Sequence, residues 1–566
     1  MYTMKYVDPV IHRDIEHLST DYFSYLAKTF PVMCASDEFH FMPRAEEANQ
    51  YYDMLDPMEV ESMQDCIRKL KSWKRDIDRM LGSDIFHSMQ KGTTDRTVIE
   101  DYTDLLLLAS SISALLIEFE YNESWKHNPL LYLKIAFIGI DHALGKPAST
   151  KGEVLDRTKK RLQALPFLLE TARANLDGIP ELYQQGAMDM IEDCTVYLGQ
   201  IPKNDSHSKK LVNAAEQAAR ALASFRNHLM SEKPDTETRS KKEVLLEKII
   251  VDHFQTDREI QGIMNIARKQ WDDNLQHLKE MELKIGSGES WQELYRSVAP
   301  GAHGPTETLQ LYRSEYKRLF KHFSTQLPFQ SDHEPPLRIV DTPRYLRSIR
   351  GSASFAASFS RDMREKSFFY ITTVLPHVEE STRLSQRLHR EHLFLTAHET
   401  VPGHHYLDNV RRSINNAVRR QYESPLFYEG WATYAESLLL HTGYVKEDLN
   451  RIVFHKRNLW RAARCLVDLG LATGSMGKEE SQKLLKQSGF NETEAVSQMR
   501  RFQLNPGYQL CYSLGLYEIL KLREKHATLL GNNRFHQLLL DGGQAPFSLI
   551  DFRMQFLTEK PERASG

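Results

Sequence analysis

Neither sign of charge dominates this chain: 73 Lys and Arg stand against 76 Asp and Glu, a net of −3 over 566 residues. Nothing in that balance calls for a nucleic-acid partner or an anionic membrane surface. Cysteine is scarce. The five residues Cys34, Cys66, Cys194, Cys465 and Cys511 are odd in number and show no CxxC spacing, so they read as free thiols of a reducing compartment. Residues 1–9 lack the basic-then-apolar order of an export signal. No run of about 18 apolar residues occurs, so no membrane span is expected. These absences set the expected location as the cytoplasm. Period-2 strand runs are rare as well, and no internal repeat or low-complexity tract is present.

What is present is helical periodicity. Segments 58–82, 99–120, 151–177, 208–230 and 242–283 place apolar residues at three- and four-residue steps among Lys, Glu and Arg, the pattern of amphipathic helices. The same pattern returns from 384 to about 530. Hydrophobic content of 41% and charged content of 26% are those of an ordinary globular protein. Length alone allows about three or four domains, or one large helical body. The division that the chemistry suggests is a helical N-terminal region, 1–335, and a region 336–566 that carries the motifs, unless the two interlock as one body. Residues 335–372 are richer in Pro, Ser and Gly. There Ser367-Phe368-Phe369-Tyr370-Ile371-Thr372-Thr373-Val374-Leu375 is the best strand candidate of the chain.

The most informative stretch is His398-Glu399-Thr400-Val401-Pro402-Gly403-His404-His405, which follows an apolar run that reads as a buried helix. A zinc ion that activates water takes three protein ligands and keeps one position open. It also needs a carboxylate to take the water's proton and deliver it to the leaving group. The familiar H-E-x-x-H arrangement sets two His one turn apart on one helix, but here Pro402 stands where the second His would be. In an unbroken helix His404 would lie about 9 Å along the axis and turned away, and His405 about 10.5 Å along on the same face. One zinc with bonds of about 2 Å cannot join either of them to His398. The helix must be interrupted, and the sequence supplies the cause. Pro402 cannot donate to the carbonyl of residue 398, and its ring pushes that carbonyl away. Gly403 permits an unusual backbone angle. A bulge or break of this kind brings His404 or His405 back beside His398.

A second cluster, Phe427-Tyr428-Glu429-Gly430-Trp431-Ala432-Thr433-Tyr434-Ala435-Glu436, follows. Glu429, Thr433 and Glu436 fall along one helix line. One carboxylate there can ligate a metal while the other holds a ligand imidazole by its second nitrogen. Glu429 is the stronger ligand candidate, since burying an unpaired carboxylate beside Tyr428 and Trp431 is costly. Glu436 reads equally well as a solvated face residue. Further along, Arg461, Arg464 and Asp468 share a helix face, with Arg464 and Asp468 one turn apart. They read either as groups that steady a ligand carboxylate or as a surface pair. Tyr508 and Tyr512 follow a Pro-Gly turn, and a phenol suits a tetrahedral oxyanion; Tyr512 is preferred. Tyr370, on the strand candidate, is a candidate for lining a cleft, where an edge strand can hold an extended peptide.

The chain resembles the bacterial family known as DUF885, whose signature is H-E-x-x-P-G-H followed by E-G-W-A-x-Y-A-E. His398 to His404 and Glu429 to Glu436 fit it, as do segments 459–470 and 505–515 and Asp541-Gly542-Gly543. Residues 30–31 and 46–52 match more weakly, and 368–372 departs from the pattern, in which an Asn often follows the aromatic run. The resemblance implies a mostly α, large multi-helix, zincin-like metallopeptidase fold with a small β element beside the active-site helix. It implies His398, His404 and Glu429 as ligands of one Zn2+ per chain, or of another divalent transition metal, with Glu399 as the base and His405 as second choice of ligand. The expected function is a zinc-dependent hydrolase of peptide or related amide bonds, with a peptide or small amide as substrate. Two alternatives remain at this point. One is a metalloenzyme acting on a small metabolite, by hydrolysis or by redox chemistry, since three His can also suit a redox metal. The other is a degenerate, non-enzymatic helical scaffold, against which the intact Glu399 argues.

Overall fold

The structure is a computed structural model, and it describes residues 9–83, 96–204, 209–235, 242–298, 304–328, 336–347, 350, 352–358, 362, 364–374 and 378–559. Helices dominate. Val60–Leu81, Arg96–Leu116, Lys151–Asn175 and Lys209–Ser231 fall on the expected segments. The expected helix over 242–283 is instead Lys242–Lys248, a π turn at Ile249–His253, and a separate helix Ile260–Ile285. No Pro or Gly lies between them. The break is held from outside: Ser110 donates to the His253 carbonyl, and Gln255, at φ +50°, donates to the Leu106 carbonyl at 2.8 Å.

One helical stretch, Arg96–His127, is long and apolar enough by length and composition to cross a membrane. The sequence placed a helix over 99–120 but gave no expectation of a span there. Inside the protein 78% of its apolar window is buried, which is how a core helix behaves. Buried apolar residues form one continuous cluster from Ile15 to Met554, so regions 1–335 and 336–566 share a core. The division expected between them abuts residues 329–335, which lie outside the described residues. Ile260–Ile285 packs along Asp448–Thr473, one helix from each region.

The β element has three strands: β1 (Leu337–Asp341), β2 (Ala353–Ala356) and β3 (Ser367–Ile371), in the order β1-β3-β2. β3 runs parallel to β1 and antiparallel to β2. The strand candidate is therefore real but central, and it cannot be the edge that receives an extended peptide. Its aromatic run explains the position, since side chains on both faces are covered. The open edge on the site's side is β2, which packs beside the helix Val378–Glu399.

Three helices carry the motif residues: Val378–Glu399, His404–Ser413 and Pro425–His441. The last starts cleanly, with Pro425 in its first turn and Ser424 accepting from the Phe427 amide at 3.5 Å. It crosses Leu510–Leu530 backbone to backbone. A Cβ on Gly430 would lie 2.7 Å from the Gly515 backbone, and one on Gly515 would lie 2.4 Å from the Leu426 carbonyl oxygen. Only glycine allows that approach. It sets Glu429, one residue before Gly430, against Tyr512, three residues before Gly515.

Candidate metal centre

The helix carrying His398 ends at Glu399 and a new one begins at His404. Across the break, Thr400 N donates to Thr396 O at 2.9 Å, Gly403 N to Ala397 O at 2.9 Å, and Tyr406 N to Thr400 O at 3.2 Å. The peptide Val401–Pro402 is cis, and the Trp431 indole donates to the Pro402 carbonyl at 2.9 Å. Gly403 is required for space rather than for angle. Its φ is −83°, but a Cβ there would lie 1.9 Å from the His398 carbonyl oxygen. The chain thus doubles back tightly enough to put the His404 ring 4.8 Å from the His398 ring.

Glu429 Oε2 lies 3.4 Å from His398 Nε2 and 3.5 Å from His404 Nε2. One ligand atom from each of the three residues falls within 4.8 Å of the others. All three side chains are buried. Two ligands bonded at about 2.1 Å with a tetrahedral angle between them sit about 3.4 Å apart, so these spacings fit a common ion. Glu429 Oε2 has no hydrogen-bond donor, an expensive condition for a buried carboxylate oxygen that a cation would relieve. Oε1 is satisfied, accepting from Tyr508 and Tyr512 at 2.6 Å each. Burial opposes ionisation of Glu429, yet the two imidazoles outweigh it and hold the carboxyl well below the usual range. Burial, aided by the Glu429 charge, pushes both phenols up, so they remain donors.

The rings are fixed from behind. His398 Nδ1 lies 3.0 Å from Glu436 Oε1, so Nδ1 donates to that carboxylate and Nε2 is the atom that would give its lone pair to a metal. Glu436 is wholly buried rather than solvated, and it accepts from Arg457 and Arg461. Arg457 also donates to Glu391 at 2.6 Å, as do Lys456 at 2.8 Å and Tyr295 at 2.7 Å. His404 stacks on Tyr428 at 4.1 Å, and the Tyr428 hydroxyl donates to Asp408 at 2.8 Å.

His405 is outside the cluster. It is buried against Phe355 and Tyr316, and burial pushes its imidazole down to about 3, which makes it a neutral packing residue. Glu399 lines a cavity of ≈80 Å³ together with His398 and Tyr512, and no hydrogen bond or ion pair engages its carboxylate among the described residues. Tyr370 faces away from this cavity. It stacks on Phe368 and lies under the Arg350 guanidinium, while the opposite face of the sheet, through Phe355, meets His404 and His405. Arg464 and Asp468 are both buried, so they are not a surface pair, and they attract each other without a direct hydrogen bond. Arg464 donates to Gln509 and stacks 3.8 Å over the Tyr512 ring, whereas Asp468 accepts from the amides of Gly507 and Gln509 at 2.9–3.1 Å. A carboxylate that captures two loop amides holds the turn carrying Tyr508, so Asp468 acts on the site through that turn.

A profile of the family described as bacterial protein of unknown function, DUF885, matches residues 51–554. The chain belongs to DUF885. Every member of the His-His-Glu cluster lies within the matched span. Two solved structures share the fold of this DUF885 protein. One is a candidate lipoprotein of unknown function from Shewanella oneidensis, 17% identical with a TM-score of 0.71, the match covering 96% of this chain and 99% of that one. The other is a candidate lipoprotein from Colwellia psychrerythraea, 17% identical with a TM-score of 0.73, over 95% and 99%. No curated protein matches the sequence significantly.

Those relatives correct the expected cytoplasmic location, because both proteins of this fold are described as candidate lipoproteins. The cysteine argument fails for a physical reason. All five thiols are free and buried, where cysteine acts as a small apolar side chain, and burial raises the thiols of Cys34 and Cys194 well above their usual range. Unpaired cysteines in this DUF885 chain report packing, not redox compartment.

The sequence reading missed Glu391, Lys456, Arg457 and Tyr428. A signal existed for two of them. Glu391 is two helical turns before His398, and Arg457 is one turn before Arg461 on the face already singled out.

Proposed function

We propose that this DUF885 protein is a zinc-dependent hydrolase of peptide or related amide bonds, with a zincin-like arrangement of helices and an edge strand around one metal. The observation that carries the reading is Glu429 Oε2, buried without a donor and equidistant from two imidazole nitrogens, beside a carboxylate, Glu399, that faces a cavity unpaired. His398, His404 and Glu429 would hold the ion. Zinc bound there supplies Lewis acidity that activates water and polarises the scissile carbonyl. Glu399 accepts the proton of the attacking water and returns it to the departing amine. Tyr512 reaches the same cavity, but its hydroxyl is committed to Glu429, so its first role is to fix that carboxylate. β2 offers backbone groups to an extended substrate. The redox alternative drew on three histidines in one site, and His405 stands outside it. The description of the relatives as candidate lipoproteins brings a membrane-anchored or exported setting into this reading.

The test is metal content of protein purified without added metal. We expect about one zinc per chain in wild type and in His405→Ala, and loss of metal in His398→Ala and His404→Ala. Equal zinc in all four proteins would remove the basis of the proposal.

A further inference from the structure

The cavity beside Glu399 is strongly cationic. Five guanidinium groups line it, those of Arg387, Arg457, Arg461, Arg464 and Arg501, against the carboxylates of Glu391 and Glu399. Two of the five are neutralised: Arg457 is paired with Glu391 and Glu436, and Arg461 with Glu436. Three are not. Arg387, Arg464 and Arg501 make no ion pair among the described residues.

Arg464 is the telling one. It is only 4% exposed, and a buried guanidinium with no carboxylate hydrogen-bonded to it is costly. Its hydrogen-bond partner is neutral, the Gln509 side-chain oxygen. Its plane rests on Tyr512 at 3.8 Å and Trp460 at 4.8 Å, which fixes the fork in one orientation. Asp468, one turn away, attracts it but spends its hydrogen bonds on the Gly507 and Gln509 amides. Glu399 is the one cavity carboxylate with no cation beside it in an ion pair, and in the reading above it must stay free to move a proton. The group that hydrogen-bonds the cavity end of this fork therefore has to come from what binds.

We propose that Arg464, with Arg501 and Arg387 at the mouth, binds a carboxylate of the substrate. The hydrolysed amide is then one that lies next to a free carboxylate, such as the last peptide bond of a short peptide or the amide of an N-acyl amino acid. This rests on the hydrolase reading for the reaction, though not for the binding. Gln509 takes the Nε–Nη2 edge of the fork, so a carboxylate would pair with its Nη1–Nη2 end. Arg464 lines the same cavity as Glu399 and His398, so the anion and the amide to be cleaved would share that space. Arg501, exposed at the rim, adds steering for anions.

The experiment measures binding of benzoyl-glycyl-glycine and of its C-terminal amide to full-length Glu399→Gln protein by calorimetry. The acid is expected to bind tighter than the amide by about tenfold to a hundredfold. Added to that background, Arg464→Gln should reduce the preference to under about threefold, and Arg501→Gln should reduce it by a smaller factor because its charge is screened. Equal binding of acid and amide to the parent protein overturns the proposal. So does a preference that survives Arg464→Gln in a protein with unchanged circular dichroism. If Arg464→Gln does not fold, the double variant Arg387→Gln with Arg501→Gln decides, and an undiminished preference there overturns it. Cleavage by zinc-loaded wild type separates the two readings. Absence of cleavage with the acid preference intact sinks the hydrolase reading and leaves the carboxylate site standing.

Discussion

Glu429 and Glu436 sit two turns apart on one buried helix, and their surroundings differ in a way that sorts function from support. Glu436 is saturated: two arginines and the His398 ring meet both of its oxygens. Glu429 is half satisfied, with two phenols on Oε1 and no donor on Oε2. The same chemical group is over-determined in one place and left open in the other. The saturated half holds the rings still, and the open half is where a ligand would complete the site.

The sharpest way to break the comparison is to disable the open half without touching the saturated one. Glu399→Gln keeps the shape of the carboxylate but cannot accept a proton at neutral pH. Hydrolysis should fall by about 10²–10⁴-fold, with zinc content and unfolding temperature unchanged. Near-normal turnover in this variant would place the base elsewhere.

The converse change is Arg457→Leu, which leaves Glu391 and Glu436 each short of a cation in the core. Removing one partner of a buried network costs about 3–5 kcal/mol, read as a lower urea midpoint. Burial opposes it, but Lys456 and Arg457 hold the Glu391 carboxyl well below the usual range. A carboxyl lowered in the folded state contributes fully above its unfolded value, and that contribution fades as pH falls. The gap between wild type and Arg457→Leu should therefore hold steady down to about pH 5 and narrow progressively as pH falls below the ordinary Glu value of about 4.3. A constant gap would mean that the loss is one of packing, not charge.

How much of this contrast the sequence made legible depends on what enforces each part. The interruption after Glu399 was readable because Pro402 and Gly403 enforce it locally. The interruption at Ile249–His253 was not, because Leu106 and Ser110 impose it from far along the chain. Glu429 was readable from its apolar neighbours. The saturation of Glu436 was hidden, since its arginines lie 21 and 25 residues away and nothing local says which way a helix turns them. The strand over 367–371 announced itself by its aromatic run. Its central place did not, because that follows from pairing with two short strands of weak pattern.

Gly403 joins the halves, and a smaller effect is expected there. A Cβ at 403 meets the His398 carbonyl oxygen at 1.9 Å, so Gly403→Ala must open the break and swing His404 outward. Apo stability should drop by about 1–3 kcal/mol, and zinc affinity, read by chelator competition, should fall with it. Unchanged affinity would show that the tight turn is incidental to the cluster.

The finest test lies within Glu429 itself. Tyr508 and Tyr512 donate to the same oxygen at the same distance, so as supports of the carboxylate they are interchangeable. Either Tyr→Phe variant leaves one donor in place, and zinc affinity should fall by about tenfold or less. Turnover should separate them. Tyr512 borders the cavity and carries the Arg464 guanidinium on its ring, while Tyr508 packs on His40 away from it. Tyr508→Phe should weaken metal binding with little change in turnover at saturating zinc, and Tyr512→Phe should lower both. The double variant strands Oε1 as well as Oε2, so its loss of affinity should exceed the sum of the two single losses in free energy. Simple additivity would mean that the phenols pack against Glu429 without anchoring it, and the contrast between a supported and an open oxygen would lose its physical content.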